Sequence, residues 1–160
     1  MKLILIAKDK DSAKYHDAAL LIEPLGELPG YQERQLIGVS DGEVKVIETA
    51  IESGLAYFIF DLKIAVRYHV WIIDFLRSQL GKKSSTPRWW HRIFRTAESV
   101  QNRRKSLSVW TASELVVAAL AKAGSQGLLM RKKMPQEITP EMISLSPLIF
   151  FKGKMVSNGN

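Results

Sequence analysis

The chain has 160 residues, 46% of them hydrophobic, and a formal charge of +7 from 23 Lys and Arg against 16 Asp and Glu. That length and apolar content predict one domain with a real core, which excludes a disordered basic tail. With no cysteine, a disulfide framework, a thiolate metal site and a cysteine nucleophile are all excluded.

Met1 and Lys2 are followed by only five apolar residues before Lys8, Asp9, Lys10 and Asp11, so no secretory signal is expected. An intracellular location follows, cytoplasmic or nuclear, with a membrane surface or a virion as further settings. Lys2 to Ala7 has the composition of a short buried strand. Asp11 stands where it would cap a helix running through Tyr15, Ala19 and Ile22 and stopped by Pro24. A loop over Pro24, Gly26, Pro29 and Gly30 leads to a strand at Gln35–Val39. Ser40 and Glu43 have capping-box spacing and Gly54 fits a helix stop, which predicts a helix over 41–53. The competing reading is a hairpin turned at Asp41-Gly42, since Val44 and Val46 also alternate.

Alternation from Phe58 to Arg67 predicts a half-buried strand. Val70 to Arg77 then has the pattern of an amphipathic helix ending near Gly81. The Leu55–Leu76 stretch is long enough to cross a bilayer, but Asp61, Lys63, Arg67, His69 and Asp74 argue against a span. Residues 81–87 are polar up to Pro87 and would serve as a linker between an α/β part and a helical part of the single domain 1–160.

Charge is distributed unevenly. Residues 1–80 hold nine basic and twelve acidic residues, whereas residues 81–160 hold fourteen and four. Within Lys82–Lys105, eight Lys and Arg face the single acid Glu98. On a helical wheel Trp90, Ile93, Phe94, Ala97 and Val100 share one side of this segment, with Arg88, Arg92, Arg95 and Arg103 opposite. Such a stripe is roughly 22 Å long at about 1.5 Å per residue, long enough to follow several phosphates. Guanidinium groups suit that role because they are always charged and fork onto two phosphate oxygens. Ordinary solvated helices mix signs to gain pairs one turn apart, and here only Glu98 is on hand.

Further along, Thr111 and Glu114 form a second capping-box pattern, with Trp110 and Leu115 at staple positions and Gly124 as the stop. A helix-turn-helix could be drawn from Thr111–Ala123 and Ser125–Met134, but Gly127 counts against its second helix. Arg131, Lys132 and Lys133 form a second basic cluster, Thr139-Pro140-Glu141 opens a short helix, and Pro147–Phe151 fits a last strand.

Asp41, Asp61 and Lys63 superficially resemble the carboxylate and lysine set of the PD-(D/E)xK nucleases, in which two carboxylates hold Mg²⁺. Serine in place of the usual proline at position 40 weakens that resemblance. His16, His69 and His91 share no metal-ligand spacing, and no phosphate-binding glycine loop or hydrolase elbow is present. No catalytic residue, metal or cofactor is therefore expected.

The expected architecture is α+β, with a small sheet in the N-terminal half packed against a mostly helical, basic C-terminal half. The expected function is non-enzymatic binding of RNA or DNA through phosphates, with weak sequence specificity. Arg88, Arg92, Arg95, Arg103 and Arg104 would make the principal contacts, extended by Lys82, Lys83, Lys105, Arg131, Lys132 and Lys133. The alternatives are a matrix-like or coat-like structural protein that binds anionic membrane and forms homo-oligomers, and the Mg²⁺-dependent nuclease.

Overall fold

Strand β1 (Lys2–Ala7) is apolar at every position after Lys2, a composition suited to burial on both faces of a sheet, and it lies at the sheet's centre. The computed structural model describes residues 1–7, 15–26, 28–47, 55–84, 111–126 and 138–156. Around β1 the strands β2 (Tyr15–Ile22), β3 (Gln35–Ser40), β4 (Glu43–Ile47), β5 (Ala56–Leu62) and β6 (Ile149–Val156) form one sheet in the order β4-β3-β2-β1-β5-β6. Every pairing is antiparallel.

Register fixes which residues meet. Leu3 lies between Leu20 and Phe60, and Leu5 between Ala18 and Phe58, so two rows of apolar side chains cross one face of the sheet. Three short helices add to this face: α1 (His69–Gln79), α2 (Ala112–Leu120) and α3 (Pro140–Ser144). Ile72, Ile73 and Leu76 of α1, Leu115 and Leu120 of α2, and Ile143 of α3 are fully buried in the same core. Truncating any one of them to alanine would cost about 2–5 kcal/mol. The opposite face holds a smaller cluster of Ile4, Ile6 and Leu21, flanked by Leu36, Leu55, Tyr57 and Ile59.

The expected small N-terminal sheet with a mostly helical second half does not form. Six strands make one sheet that draws its last strand from the C-terminal end, and the described second half contains only two of the short helices. The reason lies in β5, whose Phe58, Phe60 and Leu62 need a further strand beside them. Ile149 pairs with Leu62, and Phe151 with Phe60, to complete that row. Phe151 packs at 5.5 Å from Phe60 and 6.4 Å from Phe58, ring to ring.

Two expected helices are strands as well. Tyr15–Ile22 pairs with both β1 and β3; its continuous Ala-Ala-Leu-Leu-Ile run is compatible with either element, and the pairing decides. At Ser40–Glu43 the hairpin prevails over the helix expected for 41–53. Asp41 (φ 51°) and Gly42 (φ 80°) adopt the two left-handed conformations of a tight hairpin turn, whose twist matches the flanking strands. Residues 48–53 of that expected helix lie outside the described residues.

The strand expected to continue to Arg67 ends at Leu62. There the Lys63 N–H donates to the Leu148 carbonyl (2.8 Å), and a 3-10 turn at Val66–Tyr68 leads into α1. Other local expectations are met. Thr111 Oγ1 accepts from the Glu114 N–H (3.2 Å), while Glu114 Oε2 accepts from the Thr111 N–H (2.9 Å), closing the capping box of α2. Thr139 caps α3 with Pro140 in its first turn.

Candidate functional site

Of the basic residues expected to bind a polyanion, Lys82 and Lys83 are described, and the fold gives them a fixed position. After α1, Gly81 takes φ 78°, a left-handed conformation suited to glycine, and the chain turns back along the outer edge of β4. Val44 N–H donates to the Lys82 carbonyl (2.9 Å), Gly81 N–H to the Val44 carbonyl (2.8 Å) and Ser84 N–H to the Gly42 carbonyl (2.6 Å). Glu43 and Lys83 form a bridge pair across this edge. Residues 81–84, the start of the expected linker, are thus bound as a short strand stub beside the β3–β4 hairpin.

Lys82 is half-buried and donates to Gln79 Oε1 at 2.8 Å, whereas Lys83 is exposed. Arg88, Arg92, Arg95, Arg103, Arg104, Lys105, Arg131, Lys132 and Lys133 lie outside the described residues, as do Trp89, Trp90 and His91. Of the helix-turn-helix alternative, Thr111–Ala123 covers α2 and part of a 3-10 segment, Ala121–Gln126, in which Gly124 has φ 64°. Residues 127–134 lie outside the described residues.

With Lys82 and Lys83 included, the described charge is nearly balanced, at eleven Lys and Arg against nine Asp and Glu. Many of these cations also have internal partners. Lys2 pairs with Glu23 (2.7 Å), Lys152 with Asp61 (3.1 Å), and Lys45 with Asp41. Arg77 donates to the Gly30 carbonyl at 2.6 Å, and Lys63 lies 3.7 Å from the centre of the Phe150 ring. The charge excess therefore resides mainly in the residues around Arg88–Lys105 and Arg131–Lys133.

Asp41, Asp61 and Lys63 are not brought together. Leu36 of β3, Leu21 of β2, Lys2 of β1 and Asp61 of β5 lie in one row across the sheet. Asp41 stands five residues beyond Leu36, which places it roughly 20 Å from Asp61 at ~4.8 Å per strand and ~3.3 Å per residue. Lys45 holds the Asp41 carboxyl below its ordinary value. Among the described residues there is no group of three or more His, Asp or Glu placed to share a metal ion.

Sequence reasoning missed two titratable groups drawn into the fold, Asp17 half-buried and His69 buried. Asp17 lies beside Ile6 on the second face of the sheet, and burial pushes its carboxyl up to about 6 despite a 2.8 Å bond from the Ala18 N–H. His69 is buried at the start of α1 with Nε2 3.1 Å from the Ile64 carbonyl, and its Nδ1 has no hydrogen-bond partner. Burial, reinforced by the N-terminal ammonium, holds this imidazole below its ordinary value. Their only sequence signal was a polar residue at the head of an apolar run.

Among the described residues no helix is long and apolar enough to cross a membrane. No family model, curated protein or solved structure matches the chain.

Proposed function

We propose that this protein binds nucleic acid without catalysis, through phosphate contacts made by the basic segment that begins at the β4 edge. The observation that carries this reading is the charge distribution: eight Lys and Arg against one acid in Lys82–Lys105, in a chain whose described residues are nearly neutral. A local excess of that size raises the potential around the segment and attracts polyanions. Attachment of residues 81–84 to β4 supports the reading, because it fixes where the segment leaves the sheet. The contacts assigned to Arg88, Arg92, Arg95, Arg103 and Arg104, with Lys82, Lys83, Lys105, Arg131, Lys132 and Lys133 around them, involve phosphates and carry little base information.

The test is a salt titration of binding to mixed-sequence RNA and DNA. If about five phosphates are neutralised, log K falls against log salt with a slope of about −4 to −5. Changing Arg88, Arg92 and Arg95 together to alanine should flatten that slope to about −2 and weaken binding at every salt concentration. Equal affinity for the two proteins would overturn the proposal. Co-sedimentation with acidic vesicles in place of salt-sensitive nucleic-acid binding would identify a membrane-surface protein instead.

A further inference from the structure

We propose that β6 is a self-association edge, along which two copies of the chain pair antiparallel about a two-fold axis between Lys152 and Gly153. This inference is independent of nucleic-acid binding. It starts from the unequal treatment of the two ends of the sheet. The β4 end is occupied by the chain's own residues 81–84, whereas β6 closes the strand order with β5 as its sole strand neighbour among the described residues. Along eight residues β6 exposes Phe150 (44%), Phe151 (59%) and Met155 (44%). A long edge strand with large exposed apolar side chains is a template for another strand.

Register identifies the occupant. β6 skips one position against β5, because Phe60 pairs with Phe151 and Ile59 with Gly153, leaving Lys152 as the extra residue. This bulge places Lys152 and Gly153 on the same face of the sheet, as the contact from Lys152 to Asp61 confirms, and shifts the alternation on one side of it. Read outward from the bulge in both directions, the strand then matches itself. Phe151 and Lys154 share the helix-covered face, where both lie against Phe58, while Phe150 and Met155 share the other.

A two-fold pairing with Lys152 opposite Gly153 sets Phe150 against Met155 of the second copy, and Phe151 against Lys154 of the second copy. The first contact is apolar, and the second is a cation over an aromatic ring. No two lysines stand directly opposite each other, and Asp61 neutralises Lys152 in each copy at 3.1 Å. Without the bulge, pairing centred on Gly153 would set Lys152 directly against Lys154. Lysines normally protect an edge from pairing; here one is neutralised and the other is aligned with an aromatic partner. Isologous pairing of this kind closes on itself as a dimer and joins two six-stranded sheets. An eight-residue edge is smaller than a standard interface, so the dimer depends on concentration.

The absence of native cysteine allows a direct test of register. A Cβ added at Gly153 meets nothing within 4 Å, so Gly153→Cys fits the folded chain. Near the axis its two copies fall within disulfide range, and mild oxidation should yield a covalent dimer that reductant separates. Met155→Cys serves as the control, because its two copies lie about 17 Å apart along the strands and should stay unlinked. In sedimentation equilibrium the wild type should show a concentration-dependent dimer. Phe151→Lys should weaken it at least tenfold by opposing Lys154, and adding Lys154→Glu to the same chain should restore it. A wild type that stays monomeric at every concentration, or cross-linking at position 155 as fast as at 153, would overturn the proposal, as would a double variant no better than the single.

Discussion

Val44 and Lys82 are joined through the backbone, the Val44 N–H donating to the Lys82 carbonyl at 2.9 Å, across 38 residues of sequence. With the Ser84 N–H on the Gly42 carbonyl at 2.6 Å, this bond covers the edge of β4 and sets the point from which the basic segment departs. Ser84→Pro removes one of these donors while suiting the extended backbone at Lys83. It should lower stability by about 1–2 kcal/mol and the thermal midpoint by a few degrees. Circular dichroism melting is the measurement, and an unchanged midpoint would show that the edge pairing contributes nothing.

The same contact explains part of what could be read in advance. Capping at Thr111 and Glu114 involves neighbours three residues apart, so the sequence displays it directly and the bonds form as expected. Residues 81–84 read as the start of a polar linker because their partner, β4, is remote in sequence and edge pairing leaves no local pattern. Ser40 and Glu43 had the spacing of a capping box, yet Ser40 Oγ donates to the neighbouring Asp41 carboxyl at 3.2 Å while the hairpin closes. The helix expected through Tyr15, Ala19 and Ile22 was displaced by pairing on both sides, which outweighs the helix preference of alanine. For the candidate site, composition revealed the charge excess, and the attachment of Lys82 and Lys83 became visible only in the fold.

Asp17 makes stability depend on pH in a definite direction. Its folded-state value of about 6 lies above the ordinary 3.8, so between those values the folded chain keeps a proton that the unfolded chain has lost. Stability therefore falls as pH rises through that window, and the cost above it is about 3 kcal/mol at most. Asp17→Asn removes the titration and keeps an oxygen to accept from the Ala18 N–H. The variant should be more stable than wild type at pH 7, with the gain vanishing near pH 3.5. A gain that is the same at both pH values would show that burial of the carboxylate is not its cause.

His69 acts in the opposite sense. Its folded value lies below 6.5, so as pH falls through 6.5 the unfolded imidazole takes up a proton that the buried ring resists, and stability declines toward acid. Protonation would put a charge on a ring whose Nδ1 is buried without a partner, at the positive end of α1. In an Asp17→Asn background, where the opposing trend is gone, urea midpoints should fall steadily from pH 7 to pH 5. Adding His69→Gln should flatten that slope while lowering the midpoint at pH 7. If the slope persists in the double variant, the titrating group lies elsewhere.

Gly38 shows how closely β2 and β3 approach on the second face of the sheet. A Cβ built there would stand 2.9 Å from Ala19 Cβ and 3.0 Å from Ile47 Cδ1. The Ile47 methyl can turn aside, but Ala19 is the directly paired residue of the neighbouring strand, and its Cβ moves only with the backbone. Gly38→Ala should therefore destabilise by about 1–3 kcal/mol, the usual cost of overpacking, even though alanine normally suits a strand better than glycine. Ala19→Gly opens the space from the other side, so the two changes together should cost less than the sum of each alone. A double-mutant cycle by chemical denaturation gives the coupling directly, and strictly additive effects would mean that the strands separate freely and the close approach is not what keeps glycine at position 38.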